Sequence, residues 1–439
     1  MKSIALVLLA LVASAVLHTP AQAVPRIQHW QTGEGMRVYF VQARELPILD
    51  LRLVFDAGSA RDAERPGLAR ITTALLDNGA GDWDADAIAA RFEDVGADFS
   101  TGTDRDMSWL SLRSLSDTRY SAPALETFLR VATAPSFPGR DFERARKLTL
   151  VSLQRQQQRP ATVASKAFYR ALYVDHPYAH PVIGDAASVK AMTREAVRGF
   201  YRRYFVARNA VLAMVGDMDR AQAEHLAARI SAGLAPGEPA PELPSVSALA
   251  HNHTERTPFP SEQAHIYMGQ PGVRRGDPDY FPLYVGNHIL GGSGFSSRLV
   301  KEVRVKRGLS YSVYSYFPPL ARKGPFQLNL QTRGDQTGEA VAVAKDTLRG
   351  FIEAGPSDQE LEAAIKNITG GFPLRLDSNE DIVAYLAVIG FYGLPLDYLD
   401  TFNDKVAAVT VEDIKAAFLK RLDVGRMVTV IVGGENHKE

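Results

Sequence analysis

Residues 193–216 read "TREAVRGFYRRYFVARNAVLAMVG", and residues 410–433 read "TVEDIKAAFLKRLDVGRMVTVIVG". The two stretches align without a gap at an offset of 217 residues (410 − 193). Each opens on a threonine followed two residues later by a glutamate, which suits a helix cap and an acidic first turn. Each continues with mixed apolar and basic positions, the pattern of a helix with one buried face. Each ends in a β-branched run closed by glycine, which predicts a strand. A helix–strand unit that recurs at about half the chain length predicts an internal duplication.

A looser echo supports this. Residues 92–115, "FEDVGADFSTGTDRDMSWLSLRSL", and 305–332, "VKRGLSYSVYSYFPPLARKGPFQLNLQT", both read as a helix end, a glycine, then two strands joined by a turn. Between the halves lies the proline-rich stretch "GLAPGEPAPELPSVSALAHNHTERTPFP", 233–260. Its prolines resist helix and sheet interiors and mark a linker. The expected architecture is α+β: two homologous domains at 24–235 and 251–439 around a linker at 236–250. Each is expected to hold an antiparallel sheet covered by helices.

The first 23 residues carry Lys2, the apolar run "IALVLLALVASAV" and "AQA" at Ala21–Ala23, the pattern of a cleaved export signal. The run is shorter than the roughly 20 residues that a membrane span needs. The expected mature protein has 416 residues (439 − 23) and is periplasmic or secreted. It has no cysteine, so stability must come from packed cores. With Lys2 removed, 49 basic side chains face 50 acidic ones, leaving no basic excess for a nucleic-acid backbone.

Several histidines invite a metal reading. His176 and His180 stand four apart in "DHPYAHP", but Pro177 between them favours a capped loop over a helical ligand pair. His251 and His253 follow the prolines and would need distant partners. His265 and His288 stand singly in strand-like and helix-like surroundings. "GGSGFSSRL", 291–299, lacks the lysine of a phosphate loop. It reads either as a flexible connection between helices or as a mobile segment, with Gly291, Gly292 and Gly294, that touches a polymeric ligand.

The segments "ERPGLARITTALLDNGAG" (64–81), "HPYAHPVIG" (176–184), "NHILGGSGFSSRLVKEVRVKRGLSYSVYS" (287–315) and "GFPLRLDSNEDIVAYLAVIGFYGLPLDYLD" (371–400) together resemble the M16 family of zinc metallopeptidases, the pitrilysin and mitochondrial-processing-peptidase group. The resemblance covers nearly all of the mature chain. It implies paired homologous α+β domains that form half of a clam-like chamber. Active members carry H-x-x-E-H on the first long helix of the first domain. Two histidines one turn apart hold zinc, and the glutamate acts as general base on a metal-bound water. A distal glutamate is the third protein ligand.

Here the resemblance places Arg70 and Ala74 at the histidine positions, Thr73 at the base and Ser152 at the distal glutamate, with Ala145 at an accompanying acidic position. Arginine cannot deprotonate to bind a cation, and the other side chains cannot supply the missing ligands or base. Glu143 persists nearby. The family's arginine and tyrosine, seven residues apart, match Arg304 and Tyr311 in "RVKRGLSY". In that setting they would donate hydrogen bonds to a substrate carbonyl and its developing oxyanion.

The implied function is a non-catalytic subunit without a cofactor of its own. It would supply Arg304, Tyr311 and the facing wall to a homologous H-x-x-E-H partner that carries zinc. The substrates would be peptides. The alternative is a solitary module that binds peptides without cutting them, and a blander one makes the retained residues purely structural.

Overall fold

The duplicated helix–strand unit is present in both halves of the computed structural model, which describes residues 26–434. The expected export signal lies outside the described residues. Thr193 caps the helix Arg194–Tyr204 by accepting from the Ala196 N–H, and the strand Ala210–Gly216 follows. Thr410 caps the helix Val411–Arg421 by accepting from the Asp413 N–H. The Asp413 carboxylate returns a bond to the Thr410 N–H at 3.0 Å, so it closes a reciprocal cap.

The strands are β1 (Gln28–Gln31), β2 (Arg37–Gln42), β3 (Ile48–Phe55), β4 (Gly79–Ala80), β5 (Trp83–Asp84), β6 (Asp98–Thr103), β7 (Ser108–Leu115) and β8 (Ala210–Gly216) in the first half. The second half contributes β9 (His253–Thr257), β10 (Gln263–Pro271), β11 (Ser312–Tyr316), β12 (Pro325–Arg333) and β13 (Val428–Gly433). The first large sheet runs β1-β2-β8-β3-β7-β6, and the second runs β11-β12-β10-β13-β9. Apart from β1, the two orders are the same. β2, β8, β3, β7 and β6 correspond to β9, β13, β10, β12 and β11.

The expectation of antiparallel sheets needs one adjustment. β2 pairs parallel with β8, and β9 pairs parallel with β13, so both sheets are mixed. The parallel pair follows from the duplication. The helix–strand unit ending each half returns its last strand beside that half's first long strand, and a parallel partner needs such a long crossover.

The covering helices are exchanged. The helix Asn379–Tyr392, from the second half, lies on β2, β3 and β8 of the first sheet. Its counterpart Pro160–Tyr173, from the first half, lies on β10 and β13 of the second. Strand alternation then assigns side chains to cores. In β8, Ala210, Leu212 and Met214 join the core of the first half, whereas Val211, Ala213 and Val215 join the core that contains Leu386 and Ile389. In β13, Val428, Val430 and Val432 pack with Ala164, Phe168 and Leu172. At Gly390 a Cβ would come within 2.6 Å of the Tyr39 ring and Val211, so only glycine permits this approach of helix to sheet.

Polar contacts lock the same boundary. Asp106, in the turn between β6 and β7, is 1% exposed. One carboxylate oxygen accepts from the Tyr178 hydroxyl. The other accepts from the Tyr392 hydroxyl at 2.9 Å and from the Ala321 N–H at 2.8 Å. Tyr392 and Ala321 belong to the second half.

Candidate functional site

The short helix Leu68–Ala74 carries the positions that the resemblance assigns to the metal. Leu68, Ile71 and Leu75 are buried and form its core face. Gly67 precedes it in the left-handed region, with φ +95°, where a side chain would be strained. The buried Asp62 carboxylate accepts from the Gly67 and Ala69 N–H groups, both at 2.7 Å. Burial pushes Asp62 up to about 7, against the pull of those two bonds.

Arg70 and Ala74 share the exposed face and line a cleft of about 230 Å³ with Ala145, Leu148 and Thr149 of the helix Gly139–Gln157. Ser152 follows these residues at helical spacing and is half-buried. The facing helices are therefore those that the resemblance names. Their donors are not metal donors. Among the described residues no group of three or more histidine, cysteine, aspartate or glutamate side chains is placed to hold a metal. Thr73, at the base position, is 1% exposed, and its hydroxyl lies 2.9 Å from both the Ala69 carbonyl and Ser108 Oγ. That side chain serves the core. Glu143 pairs with Arg146 at 2.6 Å.

A second cleft of about 290 Å³ begins on the other side of Arg70. Arg105, Lys166, Gln156 and Tyr169 line it. The Arg105 guanidinium sits 3.6 Å from the Tyr169 ring centroid, and burial lowers the Lys166 pKa. With Arg70, the Arg105 side chain makes the wall of this cleft basic.

Of the histidines, His176 takes a structural role. His176 Nδ1 accepts from the Tyr178 N–H and its Nε2 lies 3.0 Å from the Pro244 carbonyl, so it caps the turn Pro177–Ala179. His180, His251 and His253 are exposed, and His265 and His288 are half-buried with burial lowering their pKa.

Arg304 and Tyr311 are brought together. Arg304 lies in the helical turn Val300–Val305, and Tyr311 immediately precedes β11. The guanidinium stands 4.8 Å from the ring centroids of both Tyr311 and Phe295. Tyr311 is 81% exposed and Phe295 74%. The neighbouring charges are already paired, because Glu302 takes Lys306 and Arg307 at 2.6 and 2.8 Å. Arg304 is left with aromatic faces, a favourable cation–π arrangement. β11 is the outer strand of its sheet, and Tyr314 and Tyr316 project exposed from it.

The three glycines divide. Gly291 is buried, and a Cβ there would come within 2.3 Å of Ser315 Oγ, so it permits close packing against β11. Gly292 approaches Asn287, whose amide donates to the Ser315 carbonyl while the Ser315 hydroxyl donates to Asn287 Oδ1. Gly294 alone of the three has open space beside it and a positive φ of +60°. It turns the chain into Phe295, a residue the sequence reading passed over. An aromatic next to that glycine was the available signal.

Comparison with known proteins places this geometry. Residues 38–186 match the family model described as insulinase (peptidase family M16), and residues 191–368 match that described as peptidase M16 inactive domain. The crystal structure of a peptidase M16 inactive domain from Pseudomonas fluorescens is 41% identical, covers 94% of this chain and 99% of its own, and superposes with a TM-score of 0.91. The non-peptidase homolog YmxG of Helicobacter pylori is 25% identical over 409 residues, 91% of this chain and 92% of its own. An uncharacterized zinc protease of Streptomyces coelicolor is 30% identical over 317 residues, 68% of each chain.

Proposed function

This chain belongs to peptidase family M16, and because its metal-site positions hold arginine, threonine, alanine and serine, we propose that it binds extended peptides without cleaving them. The cluster of Phe295, Arg304 and Tyr311 beside the outer strand β11 carries this reading. An outer strand offers unpaired backbone groups to an added strand, which gives affinity with little sequence preference. Arg304 and Tyr311 would donate to peptide carbonyls, and exposed Arg and Tyr side chains are the residue types that dominate binding surfaces. The work would take place in the periplasm or outside the cell, as the composition of residues 1–23 suggests.

The test is fluorescence anisotropy of a labelled unfolded peptide against the purified chain in chelator. Tyr311→Ala and Arg304→Gln should each weaken binding by about five- to tenfold, the effect of losing a contact worth roughly 1 kcal/mol or more. Unchanged affinity in both would remove the cluster from the account.

The exposure of the same cluster favours a second reading. Side chains standing in solvent can serve another chain. A homologous subunit with an intact H-x-x-E-H motif and zinc would then be completed in trans by Arg304 and Tyr311. Mixing the two chains should speed peptide cleavage beyond that of the zinc-bearing chain alone. No acceleration would leave the solitary binding module.

A further inference from the structure

A different cavity, of about 410 Å³, lies where the two halves and the linker meet. Four arginines line it: Arg37 from β2, Arg208 just before β8, and Arg274 and Arg275 just after β10. Among the described lining residues, Asp56 is the single acid, and both its oxygens are taken by Arg61, at 2.7 and 2.6 Å. Tyr392 forms part of the wall, but its hydroxyl is committed to Asp106.

One of these arginines, Arg275, is incompletely satisfied. Arg37 donates one bond, to the Gly390 carbonyl at 2.9 Å. Arg208 pairs with Glu238 at 2.9 Å, in an exposed pair that solvent screens strongly. The backbone of Arg275 is fixed by a bond to the Leu320 carbonyl at 2.7 Å. Its guanidinium lies 5.2 Å from the Tyr392 ring centroid, and its Nε is buried without a hydrogen-bond partner. A buried donor without a partner is costly, and four cations around one cavity repel one another. An anion in the cavity would relieve both.

We propose that this cavity binds a small multivalent oxyanion, of the phosphate or carboxylate class. Guanidinium groups match both chemistries with paired, charge-assisted donors, and the cavity volume is that of a small-molecule site. The rim is already fixed. Asn209 donates to the Asp56 and Tyr204 carbonyls and accepts from the Ala240 N–H of the linker. Since the wall draws on both halves, the bound anion would also hold them together.

The experiment uses the full mature chain in calorimetric titrations and thermal unfolding with tripolyphosphate, with citrate, and with sodium chloride at matched ionic strength. Saturable binding of one tripolyphosphate or citrate per chain is expected, with a rise in unfolding temperature that chloride does not reproduce. The tighter of the two ligands identifies the class. Arg274→Gln and Arg275→Gln should each weaken binding at least tenfold, whereas Arg333→Gln, at an exposed pair outside the cavity, should not. Arg274 is exposed, so its variant keeps the proposal testable should Arg275→Gln fold poorly. Absence of saturable binding by either ligand, or equal binding in all variants, overturns the site.

Discussion

Replacing Asp106 by alanine removes the acceptor for three donors at once: the Tyr178 and Tyr392 hydroxyls and the Ala321 N–H. The Tyr178 hydroxyl sits where water cannot readily substitute, since Tyr178 is fully buried and Asp106 is 1% exposed, whereas Tyr392 and Ala321 are half-buried at the wall of the arginine-lined cavity. A buried donor left unpaired costs about 1–3 kcal/mol, and regaining the desolvation of a carboxylate offsets part of that. Burial raises the Asp106 pKa, so the offset is real, while its three bonds oppose the rise. With one donor fully buried and two at a cavity wall, the expected net loss is roughly 2–4 kcal/mol, a large fraction of typical domain stability. Tyr392→Phe removes one donor and leaves the carboxylate with two bonds, so about 1 kcal/mol is expected. In the double variant the tyrosine loss should largely vanish, because its partner is already gone. The assay is urea unfolding followed by circular dichroism and tryptophan fluorescence. An Asp106→Ala protein within about 1 kcal/mol of the parent, or fully additive effects, would refute the view that this carboxylate latches the halves.

Expression of 24–235 or 251–439 separately should give chains without cooperative unfolding, because each loses the helix that covers its sheet, and co-expression should restore a cooperative complex. A sharp unfolding transition in either isolated half would contradict the exchange. Burial pushes Asp104 up to about 6, above its unfolded value of roughly 3.9, so the folded chain keeps a proton that the unfolded chain has released. Stability from this group is therefore present at low pH and is lost as pH rises through about 6. Asp104→Asn keeps the oxygen that accepts from the Asp106 and Met107 N–H groups but cannot ionise. It should gain roughly 1–2 kcal/mol over the parent at pH 7.5 and little at pH 4.5, measured by urea midpoints. The comparison with the parent cancels His176, His265 and His288, whose lowered pKa values act in the opposite sense.

The duplication was legible because a capped helix and a β-branched strand leave a local pattern, and the pattern recurs at one offset. The same offset links the two exchanged helices only loosely, at 160 and 379, and periodicity says nothing about which sheet a helix covers. "NEDIVAYLAVIGFY" does carry a trace: its interior is apolar on most sides, as suits a helix held between a sheet and its own half. The mixed character of the sheets was hidden for a similar reason, since strand pairing is set by tertiary return and not by local sequence. At the candidate site, the loss of metal chemistry was readable from residue types at Arg70, Thr73, Ala74 and Ser152. That Thr73 turns into the core against Ser108 was not, because it depends on helix rotation. The four-arginine cavity joins residues far apart in the chain, from Arg37 to Arg275, and no local spacing announces it, whereas Phe295 left a local signal beside Gly294.

The central claim is peptide binding without catalysis. Its most direct measurement follows one fluorogenic unfolded peptide with the purified chain, first in chelator and then with added zinc, recording anisotropy and hydrolysis in the same sample. Saturable binding unchanged by zinc, with no hydrolysis above the peptide alone, is the predicted result. Hydrolysis that appears with zinc and stops with chelator would contradict it.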